Sequence, residues 1–138
     1  MDAHNREIIG WSVDRRMTKS LVIKAMERAI RKRRPTGSPI FHSDRGSQYA
    51  SYAFRRLLVN NHIRQSMSGK GNCYDNAMAE SFFKTLKTEL IYQNKYQTRQ
   101  EAKQDIFEYI EVFYNRQRLH SALGYKTPVE YGELQNVA

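Results

Sequence analysis

The 138-residue sequence has one cysteine, few glycines and prolines, and no internal repeat or low-complexity tract. Because Cys73 has no second thiol to pair with, an internal disulfide is excluded, which agrees with a reducing compartment. No neighbouring residue marks Cys73 as an activated nucleophile. The histidines show no paired spacing typical of a zinc site; they are His4, His42, His62 and His120.

Long apolar runs are also lacking, since no segment approaches the roughly 20 apolar residues that a membrane-spanning helix needs. The first residues do not follow the charged and then apolar pattern of a signal peptide. We therefore expect a soluble intracellular protein with no membrane partner.

Positive charge is what the sequence has in excess. Lys and Arg number 23 against 14 Asp and Glu, which gives a net charge of +9 and a pI near 9.8. This balance favours a polyanionic partner, and nucleic acid is the commonest one. The length suits a single domain with a core of its own.

One acid, Asp44, lies shortly after the apolar run at residues 39–41 and precedes Gly46. This order predicts a strand that carries a carboxylate to its C-terminal end before the chain turns. Active sites of open α/β sheets lie at that end. An Asp at a strand end is also a common turn residue, so Asp44 by itself does not define a site.

A second acid, Glu80, lies within good helix formers at residues 76–87. On a helix, Lys84 and Lys87 share its side because they follow at i+4 and i+7. Paired carboxylates suit Mg²⁺, which prefers oxygen ligands, although a Glu beside lysines is often a surface ion pair worth ~0.3–0.5 kcal/mol. The side predicted to be apolar comprises Ala79, Phe82, Phe83, Leu86 and Leu90.

Hydrophobic periodicity predicts the surrounding elements. They are a strand over residues 6–13, a helix from a Thr18 cap to Pro35, a helix over 49–60 with Ala53, Phe54, Leu57 and Leu58 inward, a strand over 62–67, and a helix from a capping box at Thr98 to Glu101. Nine Lys and Arg lie between Arg15 and Arg34. A solvated face and a phosphate-contacting surface explain this density equally well.

Two further segments have polar compositions suited to contact with DNA. The predicted loop over residues 68–76 contains Lys70 and precedes the Glu80 helix, which Asp75 or Asn76 could cap. The closing segment, residues 114–128, mixes Arg, His and Tyr in a way that suits phosphate contact and base stacking. Both segments also have ordinary interpretations, as a connection and as a segment docked on the core.

Four ordered motifs carry a resemblance to a known family. They are His42-Ser43-Asp44-Arg45-Gly46-Ser47-Gln48-Tyr49, then Gly71-Asn72-Cys73-Tyr74-Asp75-Asn76-Ala77, then Glu80-Ser81-Phe82-Phe83-Lys84, and finally Tyr114-Asn115 with Arg118, His120, Leu123-Gly124 and Pro128. Together they resemble the integrase core of bacterial insertion-sequence transposases of the IS-three type, in the retroviral-integrase superfamily. The match extends from about Asn5 to Tyr131.

The resemblance implies a ribonuclease-H-like α/β fold with a mixed sheet flanked by helices, as one catalytic core domain over residues 1–138. It also implies DNA strand cleavage and transfer with Mg²⁺ or Mn²⁺, in which Asp44 and Glu80 are catalytic and metal-binding. The expected partners are transposon ends and target DNA, in the bacterial cytoplasm and nucleoid. Residues expected to contact DNA are Arg45, Lys70, Lys84, Lys87, Arg118 and His120.

The family's triad has three acids, and its first acid precedes the segment similar to residues 6–12. We therefore expect a core that is incomplete at its N-terminus. Asp2 resembles an acid that the family carries at the end of its second strand, and Asp14 follows the next predicted strand, so neither is taken to replace the first acid. With two acids, metal binding is expected to be weak and this chain alone to have little or no activity, since each site loses an oxygen donor.

A non-catalytic alternative stays open, in which the chain binds DNA or inhibits transposition by joining full-length transposase. A genomic remnant without a selected function is a third possibility. In the family the strand that carries the first acid lies in the middle of the sheet, so its loss would expose strand edges. We therefore expect self-association or marginal stability.

Overall fold

The computed structural model describes residues 1–69 and 77–136. Contacts divide the chain into two compact units, Ile9–Ala77, here called the strand unit, and Met1–Ile8 with Met78–Ala138, here called the helical unit. The single domain over residues 1–138 stays a prediction. The principal elements are α1 (Lys19–Arg33), β1 (Ile40–Ser43), α2 (Tyr52–Asn60), β2 (Arg64–Met67), α3 (Ala77–Glu89), α4 (Arg99–Glu108) and α5 (Pro128–Asn136).

The strand unit contains a two-stranded parallel sheet. Ile40 of β1 lies opposite Arg64 of β2, and Ser43 lies opposite Met67. Parallel strands need a crossover, which α2 supplies. Both strands confirm the sequence prediction, but β2 begins two residues later than expected because His62 adopts a left-handed turn conformation with φ of 58°.

The core of the strand unit forms where α1 and α2 meet the sheet. The rings of Phe41, Tyr49 and Phe54 pack against one another with centroids 5.4 to 5.9 Å apart. Helix α2 begins three residues later than predicted, because the Ser51 hydroxyl accepts a hydrogen bond from the Phe54 N–H at 3.3 Å and caps it. The buried members of the core are Val22, Phe54, Leu58 and Ile63, while Ala53, predicted to face inward, is exposed.

Helix α1 confirms its predicted start. The Thr18 hydroxyl accepts a hydrogen bond from the Leu21 N–H at 3.3 Å. The helix ends where Arg34 turns left-handed and donates its N–H to the Ile30 carbonyl at 2.7 Å. Its inner face holds Val22, whereas the lysines and arginines of its outer face are exposed.

The predicted strand over residues 6–13 is wrong, since the structure has no strand in that segment. Within the strand unit, Gly10 instead lies against α1, so close that a Cβ at this position would be 2.2 Å from the Ala25 carbonyl oxygen. Arg28 donates to the Trp11 carbonyl at 2.7 Å. An alternating pattern predicts which side chains face inward, but a strand also needs a backbone partner, and here a helix takes that place.

The helical unit is built from α3, α4 and α5. The capping box at the start of α4 is confirmed, because Thr98 accepts from the Glu101 N–H at 3.2 Å and Glu101 accepts from the Gln97 N–H at 3.1 Å. A second box, between Thr127 and Glu130, starts α5, which the sequence analysis did not predict. Short segments complete the unit, namely two 3₁₀ helices, Ile91–Gln93 and Ser121–Leu123, and a π-helix, Tyr109–Tyr114.

Helix α3 buries a narrower side than predicted. Phe82 and Leu86 are buried, but Phe83 is 54% exposed and Ala79 is also exposed. Consecutive residues of a helix point about 100° apart, and here Phe82 faces the core while Phe83 faces solvent. No helix within residues 1–69 and 77–136 is long and apolar enough to span a membrane.

Candidate catalytic site

The parallel sheet carries Asp44 to its surface. Asp44 follows the last residue of β1 and is exposed, as the sequence predicted for a strand end. Its Oδ1 accepts a hydrogen bond from the Gly46 N–H at 2.8 Å, which closes a tight turn around the carboxylate. The side chain is therefore oriented by the backbone while remaining open to solvent.

Hydrogen bonds brace the loop that holds Asp44. The Ser43 hydroxyl donates to the Asp44 carbonyl at 2.8 Å. Arg45 Nε donates to the Ser68 carbonyl at 2.9 Å, which ties the loop after β1 to the residue after β2. The Gln65 side chain of β2 donates to the Tyr49 carbonyl at 2.7 Å, which ties β2 to the segment that precedes α2.

The negative charge of Asp44 acts on the nearby Tyr49 side chain. Burial, and after it the Asp44 carboxylate, raise the pKa of the Tyr49 hydroxyl above its usual range. A carboxylate at this loop therefore acts on a partly desolvated neighbourhood, where electrostatic interactions are stronger than in bulk water.

Helix α3 presents the second predicted acid. Glu80, Lys84 and Lys87 are exposed and line one shallow depression of about 430 Å³ on the helical unit. This confirms that the three side chains share a face of α3. The remaining lining residues are Phe83, Thr88 and Tyr92.

The predicted DNA contacts differ in how available they are. Arg45 is exposed, although its Nε donates a hydrogen bond to the Ser68 carbonyl. Lys84 and Lys87 are exposed beside Glu80. Lys70 lies outside the described residues, as do Cys73, the suggested caps Asp75 and Asn76, and most of the predicted loop over residues 68–76.

Arg118 and His120 make intramolecular contacts. Arg118 forms a forked ion pair with Glu89, with Nε at 3.0 and 3.1 Å and Nη2 at 2.8 Å from its oxygens. The guanidinium also lies 5.9 Å from the centre of the Tyr114 ring. His120 is 7% exposed and stacks edge-on against Tyr114 at 4.8 Å. Burial and the nearby Arg118 lower the pKa of His120.

Glu89 is a functional candidate that the sequence analysis missed. It is the last residue of α3, and it accepts hydrogen bonds from Arg118 and from the Tyr109 hydroxyl at 2.5 Å. Burial alone would raise the pKa of Glu89, but these hydrogen bonds outweigh it and hold the pKa below its usual range. The cluster anchors the end of the helix that carries Glu80. The only sequence signal was the Arg118 motif, whose partner is 29 residues away.

The donor chemistry of the two acids fits a divalent ion. Asp44 and Glu80 are exposed carboxylates, and Mg²⁺ prefers such hard oxygen ligands together with waters and substrate phosphates. Within residues 1–69 and 77–136, no group of three or more His, Cys, Asp or Glu is placed to hold a metal ion. Asp44 belongs to the strand unit and Glu80 to the helical unit.

Comparison with known families identifies the family of the chain. Two protein-family models, each described as an integrase core domain, match this chain, one over residues 1–73 and the other over residues 80–135. The chain belongs to the integrase core family. Members of this family generally use a divalent metal.

Curated relatives agree with the IS-three type expected from the motifs. The transposase for insertion sequence element IS904 of Lactococcus lactis subsp. lactis is 47% identical over 131 residues, or 95% of this integrase core and 52% of that protein. The transposase InsF for insertion sequence IS3fB of Escherichia coli is 42% identical over 138 residues, covering 100% of this chain and 48% of that protein. The chain thus spans about half the length of the curated relatives it matches.

A solved structure supports the fold. A chain in the cryo-electron-microscopy structure of the simian T-cell lymphotropic virus intasome, in complex with PP2A regulatory subunit B56 gamma, matches with a TM-score of 0.66. The match covers 86% of this integrase core and 41% of that chain, at 19% sequence identity. The predicted ribonuclease-H-like α/β class is confirmed, and within the described residues its sheet has two parallel strands.

Proposed function

We propose that this integrase core takes part in DNA transposition, as the part of a transposase in which Asp44 and Glu80 ligate Mg²⁺ or Mn²⁺ for strand cleavage and transfer. The observation that carries this is an exposed carboxylate at the C-terminal end of a parallel strand in a member of the integrase core family. Ligands of open α/β sheets bind at that end. DNA as substrate makes the bacterial cytoplasm and nucleoid its place of action.

Residues of the chain have separate roles in this proposal. A bound divalent ion supplies activation of the attacking oxygen and stabilisation of the leaving oxygen. Lys84 and Lys87 neutralise DNA phosphates beside Glu80, and Arg45 does so beside Asp44. Arg118 and His120 contribute indirectly, by fixing the end of α3 and the core behind it, because their contacts lie within the protein.

Metal binding tests the two acids directly. We expect weak Mn²⁺ and Mg²⁺ binding by this chain that is lost when Asp44→Asn and Glu80→Gln are combined, because these exposed carboxylates are the proposed ligands. The measurement is isothermal calorimetry. Asp14→Asn with Glu27→Gln removes two exposed acids elsewhere and should leave binding unchanged.

Two results would contradict this part of the proposal. Binding that persists unchanged in the Asp44→Asn, Glu80→Gln variant would place the ions on other residues. Robust Mg²⁺-dependent cleavage of DNA ends by this chain, lost on Asp44→Asn, would show that two acids suffice and would overturn the expectation of little activity.

The distribution of charge supports DNA as the partner. The strand unit, Ile9–Ala77, carries 14 of the 23 Lys and Arg but only 4 of the 14 Asp and Glu, a net charge of +10. The helical unit has 9 Lys and Arg against 10 Asp and Glu. Because the whole excess lies in one unit, and much of it on the exposed side of α1, a polyanion would be attracted to that unit.

Neutralising α1 should weaken DNA binding and its salt dependence. We expect the combined change of Lys19, Lys24 and Arg31 to Gln to lower the slope of log K against log salt by about 3, since each phosphate contact contributes roughly 0.9. Arg28 is retained because it bonds to Trp11. The measurement is fluorescence anisotropy with duplex DNA from about 50 to 200 mM salt.

A control with the same charge change lies on the other unit. Lys95, Arg99 and Lys103 are exposed in the near-neutral helical unit, and their combined change to Gln should alter the slope by less than 1. Equal losses in both triple variants would mean that net charge, rather than the α1 surface, determines the affinity.

The second candidate function is non-catalytic. In it, the chain binds DNA or inhibits a full-length transposase by associating with it. The observation that favours it is the strongly basic strand unit, with 14 Lys and Arg against 4 Asp and Glu. DNA binding that needs no metal, together with an altered oligomeric state on mixing with a full-length relative, would select this function.

A further inference from the structure

The closing segment, residues 114–128, contains an exposed ring that the proposed chemistry does not use. Leu123, Thr127 and Pro128 are buried, so part of the segment docks on the core as one interpretation of its sequence expected. Tyr125 does not dock, since its side chain is 70% exposed. Packing in the core therefore does not explain an aromatic residue at this position.

The backbone at Tyr125 is also unfavourable for a tyrosine. Its φ is 60°, and Gly124 before it has a φ of 65°, so two successive residues are left-handed. Hairpin turns with two such residues strongly prefer Asn-Gly, Asp-Gly or Gly-Gly, because a Cβ in this conformation lies too close to the following carbonyl oxygen. Gly124 meets this preference and Tyr125 does not. Neither burial nor local conformation accounts for the side chain.

Backbone hydrogen bonds close the loop that presents this ring, residues 120–126, here called the Tyr125 loop. His120 donates its N–H to the Lys126 carbonyl at 3.1 Å. The His120 carbonyl accepts from the Leu123 N–H at 3.0 Å and from the Tyr125 N–H at 2.9 Å. The side chains of His120 and Leu123 are buried. The loop is therefore held in one conformation without a ligand, which lowers the entropy lost on binding.

Positive charge accompanies the ring. Residues 114–128 contain Arg116, Arg118 and Lys126 but no Asp or Glu, a net charge of +3. The rest of the helical unit has 6 Lys and Arg against 10 Asp and Glu, a net charge of −4. A Cβ added at Gly124 would lie 3.7 Å from Lys126 Nζ, so this ammonium lies beside the turn. Within this unit, a polyanion is therefore attracted to the Tyr125 loop.

An exposed ring beside an ammonium group suits nucleic acid with unpaired bases. Such bases stack on aromatic side chains while cations contact the phosphates. Bases inside a duplex are stacked on one another and present only their edges in the grooves.

We propose that the Tyr125 loop binds unpaired DNA, with the Tyr125 ring stacked on one base and the Lys126 ammonium at an adjacent phosphate. The inference rests on the proposed function and adds to it a residue that selects the form of the DNA. It also explains why a tyrosine is present where the backbone favours glycine.

Fluorescence anisotropy of the 138-residue chain with a single strand, and with a blunt duplex containing that strand, measures this contact. Tyr125→Gly should weaken single-strand binding about tenfold, since stacking on an aromatic ring strengthens binding by roughly 5- to 150-fold per base. Duplex binding should change by less than about twofold. Tyr125→Trp should retain single-strand binding, and Lys126→Gln should lower its slope of log K against log salt by about 0.7.

The same glycine variant separates a binding role from a structural one. Tyr125→Gly relieves the left-handed strain, which outweighs the added freedom of glycine in the unfolded chain. We therefore expect the midpoint of thermal unfolding to rise by about 2 to 5 °C while single-strand binding weakens. A ring kept for folding would give the reverse, a lower midpoint with unchanged binding. Tyr52→Ala is the control, since it removes a ring that is 76% exposed on the strand unit and should leave single-strand binding within about twofold.

Photochemical cross-linking locates the contact. A single strand that contains 5-iodouracil should cross-link to the stacked ring on irradiation, and mass spectrometry of the peptides should place the adduct at Tyr125. Failure of the parent to bind either DNA would remove the proposed function and the inference with it. Unchanged single-strand affinity in Tyr125→Gly, or an adduct only at other residues, would overturn the inference alone. Loss of self-association in that variant, with DNA binding unchanged, would reassign the ring to a protein interface.

Discussion

Replacing Asn115 with Leu is expected to destabilise the helical unit by about 3 to 5 kcal/mol, because two buried backbone groups would lose their partners at ~1–3 kcal/mol each. Asn115 is 1% exposed. Its Oδ1 accepts a hydrogen bond from the Ile8 N–H at 2.9 Å, and its Nδ2 donates to the Ile8 carbonyl at 3.1 Å. One side chain thus replaces a strand partner for Ile8, across 107 residues of sequence.

Urea and thermal unfolding of this variant measure the effect. Asn60→Leu is the matched control, since Asn60 is exposed at the end of α2 and should change stability by less than about 0.5 kcal/mol. Asn115→Asp is informative as well, because it retains the acceptor for the Ile8 N–H and loses the donor. A loss below about 1 kcal/mol in Asn115→Leu would mean that water or a relaxed backbone satisfies Ile8.

Gly10→Ala should destabilise the strand unit by about 1 to 3 kcal/mol or more, the usual cost of overpacking. The added Cβ would lie 2.2 Å from the Ala25 carbonyl oxygen and 2.8 Å from both the backbone nitrogen and the Cβ of Ala29. Most of these atoms belong to the backbone of α1, so relief requires the helix or the segment around Gly10 to move. A side-chain rotation cannot provide it.

Gly69 offers a control for the same substitution. A Cβ there would meet no atom within 4 Å among the described residues, so Gly69→Ala should be nearly neutral in the same unfolding measurements. If Gly10→Ala unfolds at the midpoint of the parent, the segment around Gly10 must be able to move away from α1 at little cost. A larger loss in Gly10→Val than in Gly10→Ala would support the collision.

Features with local causes could be predicted from the sequence. The Thr18 and Thr98 caps, the position of Asp44 after β1, and the shared face of Glu80 and Lys84 each depend on residues a few positions apart. Such signals are contained in the segment itself.

Features with distant partners could not be predicted. The alternation over residues 6–13 indicated a strand, but whether a strand forms depends on a neighbouring backbone that the segment does not contain. The pairing of Arg118 with Glu89 spans 29 residues, and the pairing of Asn115 with Ile8 spans 107. The motif of Tyr114 and Asn115 was recognised as a family feature, whereas its contacts required the structure.

Arg118 and Tyr109 hold Glu89 at the C-terminal end of α3. The number of residues between Glu89 and Glu80 therefore sets the height and the angular position of Glu80 on the helix. Glu89 lies nine positions after Glu80, which corresponds to about 13.5 Å of rise and two and a half turns. Insertion or deletion of one residue between them would rotate Glu80 by about 100° and shift it by about 1.5 Å relative to the anchored end. Substitutions within α3 that keep its residue count therefore leave the angular position of Glu80 unchanged, whereas a single insertion or deletion between the two acids does not.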